Sequence, residues 1–515
     1  MIPYLVHQFL EAAAARRPEA PFLVQEGHTT TYGDVEAGAN RLARSLLREG
    51  IGRGDRVGLL AHNSRFYVEA YYGILKCGAI AVPLNTAADG PTLRGFLSDC
   101  GARALVAGPR FEKPVTAAIG ALPDLELVVA PELAKLEPLP AHIRGLGGDA
   151  LGAESAQAPG LDLVDLDLAS IIYTSGSTGR PRGAVLSHLN LVANTRSIVQ
   201  YLGLTEADRV LDVLPFYYVY GKSLLNTHAA AGGAVVIENR FMFPNTALDT
   251  LEQERCTGLS GVPSTFAILL NRSNLAERAL ESLRYVTQAG GGMSPELQKR
   301  LIAALPGKRI FIMYGATEAG ARLSWLPPEE LPRRIGSIGK GIPNVELKVL
   351  RDDGSECDVG EDGEICARGS NLMRGYWGDP EETARVLDGR GYFHTGDLGR
   401  RDADGFLYVT GRKKDMIKAG AHRISPKEIE DVILEFREVH ETAVIGVPDE
   451  ILGEAIKAFV VFRPGTTAKT SELELFLKRR LPPFKLPSSI EVRDDLPKNE
   501  SGKIMKQDLR AESGS

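Results

Sequence analysis

The sequence predicts an α/β protein with a large N-terminal domain of stacked, helix-covered sheets, a small β-rich subdomain, and a small α+β C-terminal domain. Three observations predict it. At 515 residues the chain is too long for one hydrophobic core. Its first part alternates short apolar strands with helical periods. Its later part switches to short strands punctuated by turns, then returns to mixed helix and strand.

RVGLLAHNSRFYVEAYYGILKCGAIAVPLN (56–85) reads as strand, amphipathic helix and strand, a βαβ unit. ARALVAG, GAVVIE and KRIFIMYG repeat the strand pattern, so sheet covered by helices is expected through the N-terminal body. Residues 144–160, RGLGGDALGAESAQAPG, carry few bulky apolar side chains and read as an exposed connection. HAAAGGAVVI reads as a buried helix-to-strand junction broken by glycine. From about 330 to 411, VELKVLRDDGSECDVGEDGEICARG and GRRDADGFLYVTG place Asp-Asp-Gly and Ala-Asp-Gly turns between alternating runs, a hairpin signal. After GRKKD (411–415), EIEDVILEF and SELELFLKRRL read as helices, with ETAVIGVP and AIKAFVVF as strands. The domains expected are therefore 1–411 and 412–515.

The composition is 43% hydrophobic and 24% charged, with a net charge of −6. That balance offers no electrostatic case for nucleic acid or an anionic membrane as partner. The N-terminus lacks the basic start and cleavage site of a signal peptide, and no apolar run reaches membrane-spanning length. Cys77, Cys100, Cys256, Cys357 and Cys366 are widely spaced, and the histidines form no paired-ligand pattern. Neither a disulfide framework nor a zinc site is suggested, and a cytoplasmic location is expected.

The stretch IIYTSGSTGRPRGAVLSH (171–188) carries the first chemical signal. It is not a GxxxxGK[ST] phosphate loop, yet it suits phosphate. Glycines let consecutive backbone N–H groups turn towards one anion, and hydroxyls add donors without crowding it. Arg180 and Arg182 add positive charge. Alone, the stretch is equally a solvated Gly/Ser loop.

Further motifs follow in order: QAGGGMSPEL (288–297), MYGATEAG (313–320), GEICARGSNLMRGYW (363–377), GYFHTGDLG (391–399), GRKKDMIKAGAHRISPKEIE (411–430) and PKNESGKI (497–504). With YTSGSTGRPRG, the set resembles the adenylate-forming superfamily of acyl-CoA synthetases, adenylation domains and luciferases, and spans most of the chain. The resemblance implies an AMP-forming acid–thiol ligase that uses ATP, Mg²⁺ and CoA, or a carrier-protein phosphopantetheine in place of CoA. Its fold would carry a mobile C-terminal lid.

Such a reaction brings a carboxylate against the α-phosphate of ATP, one anion approaching another, so cations and oriented dipoles must offset the repulsion. By resemblance, Thr174, Ser175, Gly176, Ser177, Thr178 and Gly179 hold the β- and γ-phosphates, with Arg182 at the loop exit. Thr317 is similar to the residue that contacts the α-phosphate, and Glu318 to the one that binds Mg²⁺, a hard cation suited to carboxylate oxygen. Gly290, Gly291 and Gly292 match the segment that lies against adenine, and Tyr314 falls among the nucleotide-binding residues. Asp397 matches the carboxylate that holds both ribose hydroxyls, and Arg412 a second ribose contact. Lys503 is similar to the lysine that bridges the attacking carboxylate and the α-phosphate, and Lys414 to the hinge about which the lid turns between half-reactions. Taken singly, Asp397 also reads as a turn residue, Glu318 as a loop acid and Lys503 as a surface charge.

Two positions depart from the family pattern. Arg182 stands where lysine is usual, a planar fork in place of a point charge. Ala421 stands where a glycine borders the pantetheine tunnel, with Gly420 beside it.

LPFYYVYGKSLLNTHAAAGG (214–233) matches the acid-pocket region. Tyr218, Gly221 and Asn226 are its candidate substrate residues, with Tyr218 in the position that gates the carboxylate. No aspartate lies within 214–233 to pair an α-ammonium, which disfavours an ordinary amino acid. Phe216 and Tyr217 read equally as core. Lys222 and Asn226 share a helical face by i,i+4 spacing; Lys222 is open between reading a second polar group on the acid and being a surface charge. The expected partner is a small carboxylic acid. A carrier-protein-loading enzyme and a non-catalytic nucleotide-binding relative are the alternatives, and the intact Thr317, Glu318, Asp397, Arg412 and Lys503 set argues against the latter.

Overall fold

The unit expected at 56–85 is present. Arg56–Leu60 and Ile80–Pro83 are adjacent parallel strands joined by the helix Arg65–Lys76. The Ser64 hydroxyl starts that helix by accepting the Tyr67 amide at 3.2 Å, satisfying one of its free first-turn donors. Gly78, at φ +77°, then turns the chain in a left-handed conformation that favours glycine. The computed structural model describes residues 2–136, 138–174, 181–420, 422–463, 465–498 and 504–513.

Among the described residues, three sheets organise the chain. The eight-stranded sheet holds the unit above and the strand Leu168–Thr174, which pairs antiparallel with Arg182–Ser187. The 13-stranded sheet contains the parallel run Ala234–Ile237, Arg209–Asp212, Gly258–Gly261, Tyr285–Gln288 and Arg309–Tyr314. The helices Arg65–Lys76, His188–Leu202 and Val219–Ala231 share one buried apolar cluster with strands of both sheets, including Val57, Ile172, Val210 and Phe311. This is the stacked arrangement expected, with helices as the filling between sheets.

One expectation needs correction. Residues 144–160 are not wholly a connection: Arg144–Leu146 is the edge strand of the eight-stranded sheet, paired parallel with Leu127–Val129, and Gly148–Gly152 is a short helix. Its glycines hid it, since an edge strand needs little apolar patterning. The β-rich stretch does form antiparallel hairpins, Val345–Leu350 with Gly363–Gly369 and Phe393–Arg401 with Leu407–Arg412. Ser337–Gly341 pairs with both Ser324–Leu326 and Leu407–Arg412, which joins the hairpins to the 13-stranded sheet.

The third sheet contains Ile417–Ala419, His422–Ile424, Val439–Asp449, Gly453–Phe462 and Ser489–Val492. It begins just after the short 3₁₀ turn Lys413–Asp415, and the helices Pro426–Leu434 and Thr470–Lys478 pack on its core. The large N-terminal and small C-terminal division therefore follows the change of sheet. All five cysteines are buried free thiols. No helix among the described residues is long and apolar enough to cross a membrane.

Candidate active site

The parallel strands Arg209–Asp212, Gly258–Gly261, Tyr285–Gln288 and Arg309–Tyr314 end along one edge of the 13-stranded sheet. Arg209–Asp212 lies between Ala234–Ile237 and Gly258–Gly261, so the chain leaves it on one side and returns on the other. A crevice outside the carboxyl ends at such a reversal is where open α/β sheets bind ligands. Tyr218, the 290–292 glycines, Thr317 and Glu318 all lie on the loops that leave these ends.

Asp397 is held by two elements. The register of Phe393–Arg401 on Leu407–Arg412 sets it directly opposite Arg412, whose Nε lies 2.8 Å from Oδ1. The Tyr314 hydroxyl, at the end of its parallel strand, donates to Oδ2 at 2.7 Å. The Asp397 carboxylate is thus buried with a cation on one oxygen and a hydroxyl on the other. Its charge raises the Arg412 pKa, and burial, then the charge of Asp397, raise that of Tyr314. Tyr314 starts the loop that carries Thr317 and Glu318, both half-buried, on a short 3₁₀ turn.

Glu318 receives the Tyr376 hydroxyl on Oε1 at 2.8 Å. Its other carboxylate oxygen has no hydrogen-bond partner among the described residues. Burial, then the Glu318 charge, raise the Tyr376 pKa, so this phenol stays a donor at neutral pH. The Arg182 guanidinium lies 5.7 Å from the centre of the Tyr376 ring, and its Nη1 is 2.6 Å from Glu382 Oε1. Arg182 is therefore paired through one nitrogen with a carboxylate and lies over an aromatic face.

Gly290, Gly291 and Gly292 form an exposed loop. Gly290 has φ +84°, and the Gln288 amide holds the loop by donating to the Gly291 carbonyl at 2.9 Å. A helix starts at Pro295, with the Ser294 hydroxyl accepting the Leu297 amide at 3.3 Å. From the C-terminal side, Lys427 Cε comes within 3.9 Å of where a Cβ on Gly292 would stand.

Across residues 214–233 the structure separates core from surface. Phe216, Tyr217 and Tyr220 are buried, while Tyr218 is half-buried at the start of the helix Val219–Ala231. Gly221 has a packing reason to be glycine: a Cβ there would stand 2.3 Å from the Pro215 carbonyl oxygen. The buried Asn226 side chain accepts the Tyr72 hydroxyl at 3.2 Å and donates to that of Tyr71 at 3.3 Å. Lys222 is no surface charge; it is 2% exposed.

Several residues in this frame carried no signal of their own in the sequence. Asp212 is fully buried; its Oδ2 accepts from Asn63 at 2.9 Å and its Oδ1 from the Leu214 amide at 3.1 Å. Asn63 also accepts the Phe216 amide at 2.8 Å, so the pair fixes the turn that aims Tyr218. Tyr376 lay inside the 363–377 motif without a role of its own, and Glu382 was silent. Elsewhere, Glu364, Cys366 and His394 bring ligand-type atoms within 4.8 Å of one another, a grouping that no sequence spacing announced. Their contacts with Asp388 and Lys413 account for it as an ion-pair network.

Ser175, Gly176, Ser177, Thr178, Gly179 and Lys503, with Arg180 and Ala421, lie outside the described residues. Thr174 ends the strand that leads into the loop. Ile504 pairs with Lys498 on the far side of the ESGK motif. Lys414 is exposed on the Lys413–Asp415 turn, and the next residue, Asp415, is 3.1 Å from Arg510 of the last helix. Gly420, at φ +59°, is the turn residue between Ile417–Ala419 and the following strand.

The family model described as "AMP-binding enzyme" matches residues 10–377, and that described as "AMP-binding enzyme C-terminal domain" matches 428–503. An indoleacetate–CoA ligase of Aromatoleum aromaticum is 34% identical over 484 residues, covering 93% of this chain and 92% of that protein. A feruloyl-CoA synthase of Amycolatopsis is 34% identical over 502 residues, covering 97% of each. Among solved structures, the anthranilate CoA ligase AuaEII in complex with anthranoyl-AMP superposes with a TM-score of 0.90 at 28% identity, covering 100% of this chain and 98% of that one. ATP-bound MatB from Rhodopseudomonas palustris gives 0.90 at 30% identity, covering 98% of each. With its motifs arranged around the strand ends and the match running through both parts, the chain belongs to the AMP-binding enzyme family, the adenylate-forming superfamily that its motifs resemble.

Proposed function

We propose that the chain activates a carboxylic acid with ATP and passes the acyl group to the thiol of CoA. In the first step a carboxylate oxygen of the acid attacks the α-phosphorus, and the bond to pyrophosphate breaks. In the second, the thiol sulfur attacks the acyl carbonyl, AMP leaves, and the thiol proton passes to solvent. The observation that carries this reading is the Asp397 carboxylate, held by Tyr314 and Arg412 beside the turn that bears Thr317 and Glu318. It offers an acceptor for sugar hydroxyls next to a hydroxyl and a carboxylate suited to a phosphate with its metal. CoA ligases among the relatives support thiol transfer.

The residues fit a magnesium ion: Glu318 has one carboxylate oxygen fixed by Tyr376 and the other without a partner among the described residues. Bound there, Mg²⁺ would neutralise charge on the phosphates. Arg182 stands at the exit of the phosphate loop, the 290–292 glycines leave room for a flat base, and Tyr218 faces the acid. We assign the adenylation cation to Lys503 and the two working units to 1–411 and 412–515, hinged near Lys414.

The test is pyrophosphate release over fatty, aryl, dicarboxylic and amino acids, each run alone, with CoA and with a holo carrier protein. Release from at least one acid, followed by acyl-CoA formation, is expected. Silence across the panel would refute the reading, and acyl transfer to the carrier protein alone would replace CoA as acceptor.

A further inference from the structure

Between the helices His188–Leu202 and Val219–Ala231 lies a narrow cavity whose lining includes Ile172, Asn194, Lys222, Ser223, Asn226 and Gly320. It adjoins the reaction centre at two places. Ile172 is two residues before Thr174 on the same strand, and Gly320 follows the turn bearing Thr317 and Glu318.

Lys222 reaches this cavity fully buried, and its Nζ has no hydrogen-bond partner among the described residues. Among the described residues no carboxylate lies within ion-pair distance of it. Its nearest compensation is the face of Tyr71, whose ring centre is 5.2 Å from Nζ. A buried cation without a counter-charge is costly, and burial pulls the Lys222 pKa down to about 7. Asn194 Oδ1, on the facing helix, also has no hydrogen-bond partner among the described residues, while the amide of that side chain donates to the Ala319 and Arg322 carbonyls. Asn226, one turn after Lys222 on the same helix, is engaged by Tyr71 and Tyr72, which fixes that wall. An apolar substituent placed here would leave the ammonium unpaired. A small anionic oxygen group would complete it.

We propose that Lys222 is a specificity-determining residue that binds a second carboxylate at the far end of the acid, so that the substrate is a dicarboxylic acid activated at one end only. The inference rests on the acid-activating reading above. The reacting carboxylate lies by Thr317, the acyl body passes Val219 and Gly320, and the second carboxylate meets Lys222 Nζ. The gain is selective because a neutral group in that place would not discharge the buried ammonium.

The test measures pyrophosphate release with α,ω-dicarboxylic acids from malonate to adipate and the benzenedicarboxylic acids, each beside its monomethyl ester. For the best diacid, wild type is expected to show kcat/KM at least tenfold above the ester, mostly through KM. In Lys222→Met that ratio is expected to fall to within about twofold. An ester turned over as well as its diacid by wild type, or a ratio unchanged in the variant, overturns the proposal. Should Lys222→Met fail to fold, the wild-type ratio and Lys222→Gln decide. Turnover of fatty or aryl monoacids but of no diacid sinks this inference alone, whereas no release from any acid sinks the acid-activating reading with it.

Discussion

Arg182 Nη1 lies 2.6 Å from Glu382 Oε1, across 200 residues of sequence. Arg385 also reaches Glu382 Oε1, at 2.8 Å, so one carboxylate oxygen holds two guanidinium groups. The arginine that opens the strand Arg182–Ser187 thereby has a local purpose. It braces Tyr376, which in turn orients Glu318.

Arg182→Lys should raise the KM for ATP about three- to tenfold and change kcat less, because lysine keeps the charge but replaces a planar guanidinium over Tyr376 by a point ammonium. Glu382→Ala should cost about 1–3 kcal/mol of stability by leaving a mostly buried guanidinium without its acceptor. Steady-state kinetics and urea unfolding measure the two effects. An unchanged ATP KM in Arg182→Lys would show that the bracing has no bearing on nucleotide.

Asp397→Asn removes the charge that Arg412 pairs and turns one acceptor into a donor. We expect ATP binding to weaken about tenfold or more, the loss of roughly 1.4 kcal/mol or above. Tyr314→Phe, which deletes only the hydroxyl on Oδ2, should produce a smaller change in the same direction. Calorimetric titration with ATP checks both, and equal affinities in wild type and Asp397→Asn would remove Asp397 from the nucleotide site.

Lys503→Ala should slow acyl-adenylate formation by about a hundredfold or more, a size typical of losing an electrostatic group at the reacting centre. Thioester formation from a supplied acyl-adenylate should be nearly spared. Rapid-quench measurement of each half-reaction separates the two. Comparable losses in both would mean that Lys503 supports the fold or both steps alike.

Asp212→Ala should destabilise the protein by about 2–4 kcal/mol, since Asn63 and the Leu214 amide lose buried partners together. Burial raises the Asp212 pKa well above its ordinary 3.8. Above that value the unfolded chain releases a proton that the native chain keeps, so the contribution is full below the unfolded value and is lost as pH rises through the folded one. The gap between wild type and variant should therefore be widest near pH 4 and narrow towards pH 8, as read by urea unfolding. A gap that widens with pH would contradict the buried, protonated state.

The sequence by itself determined the family, the order of elements and the identity of most candidate site residues. Motifs such as YGATE and TGDLG are contiguous, and the βαβ period at 56–85 is local. Ser64 and Ser294 cap their helices from within three residues, an interaction local to the sequence. What only the tertiary structure decided is which side chains share a charge. Asp397 meets Tyr314 across 83 residues, and Asn63 meets Asp212 across 149. Such pairs depend on strand register and sheet order, which leave no period in the sequence. Lys222 shows the limit most plainly: its i,i+4 partner Asn226 was legible, but only the packing of two helices against both sheets removed its ammonium from water.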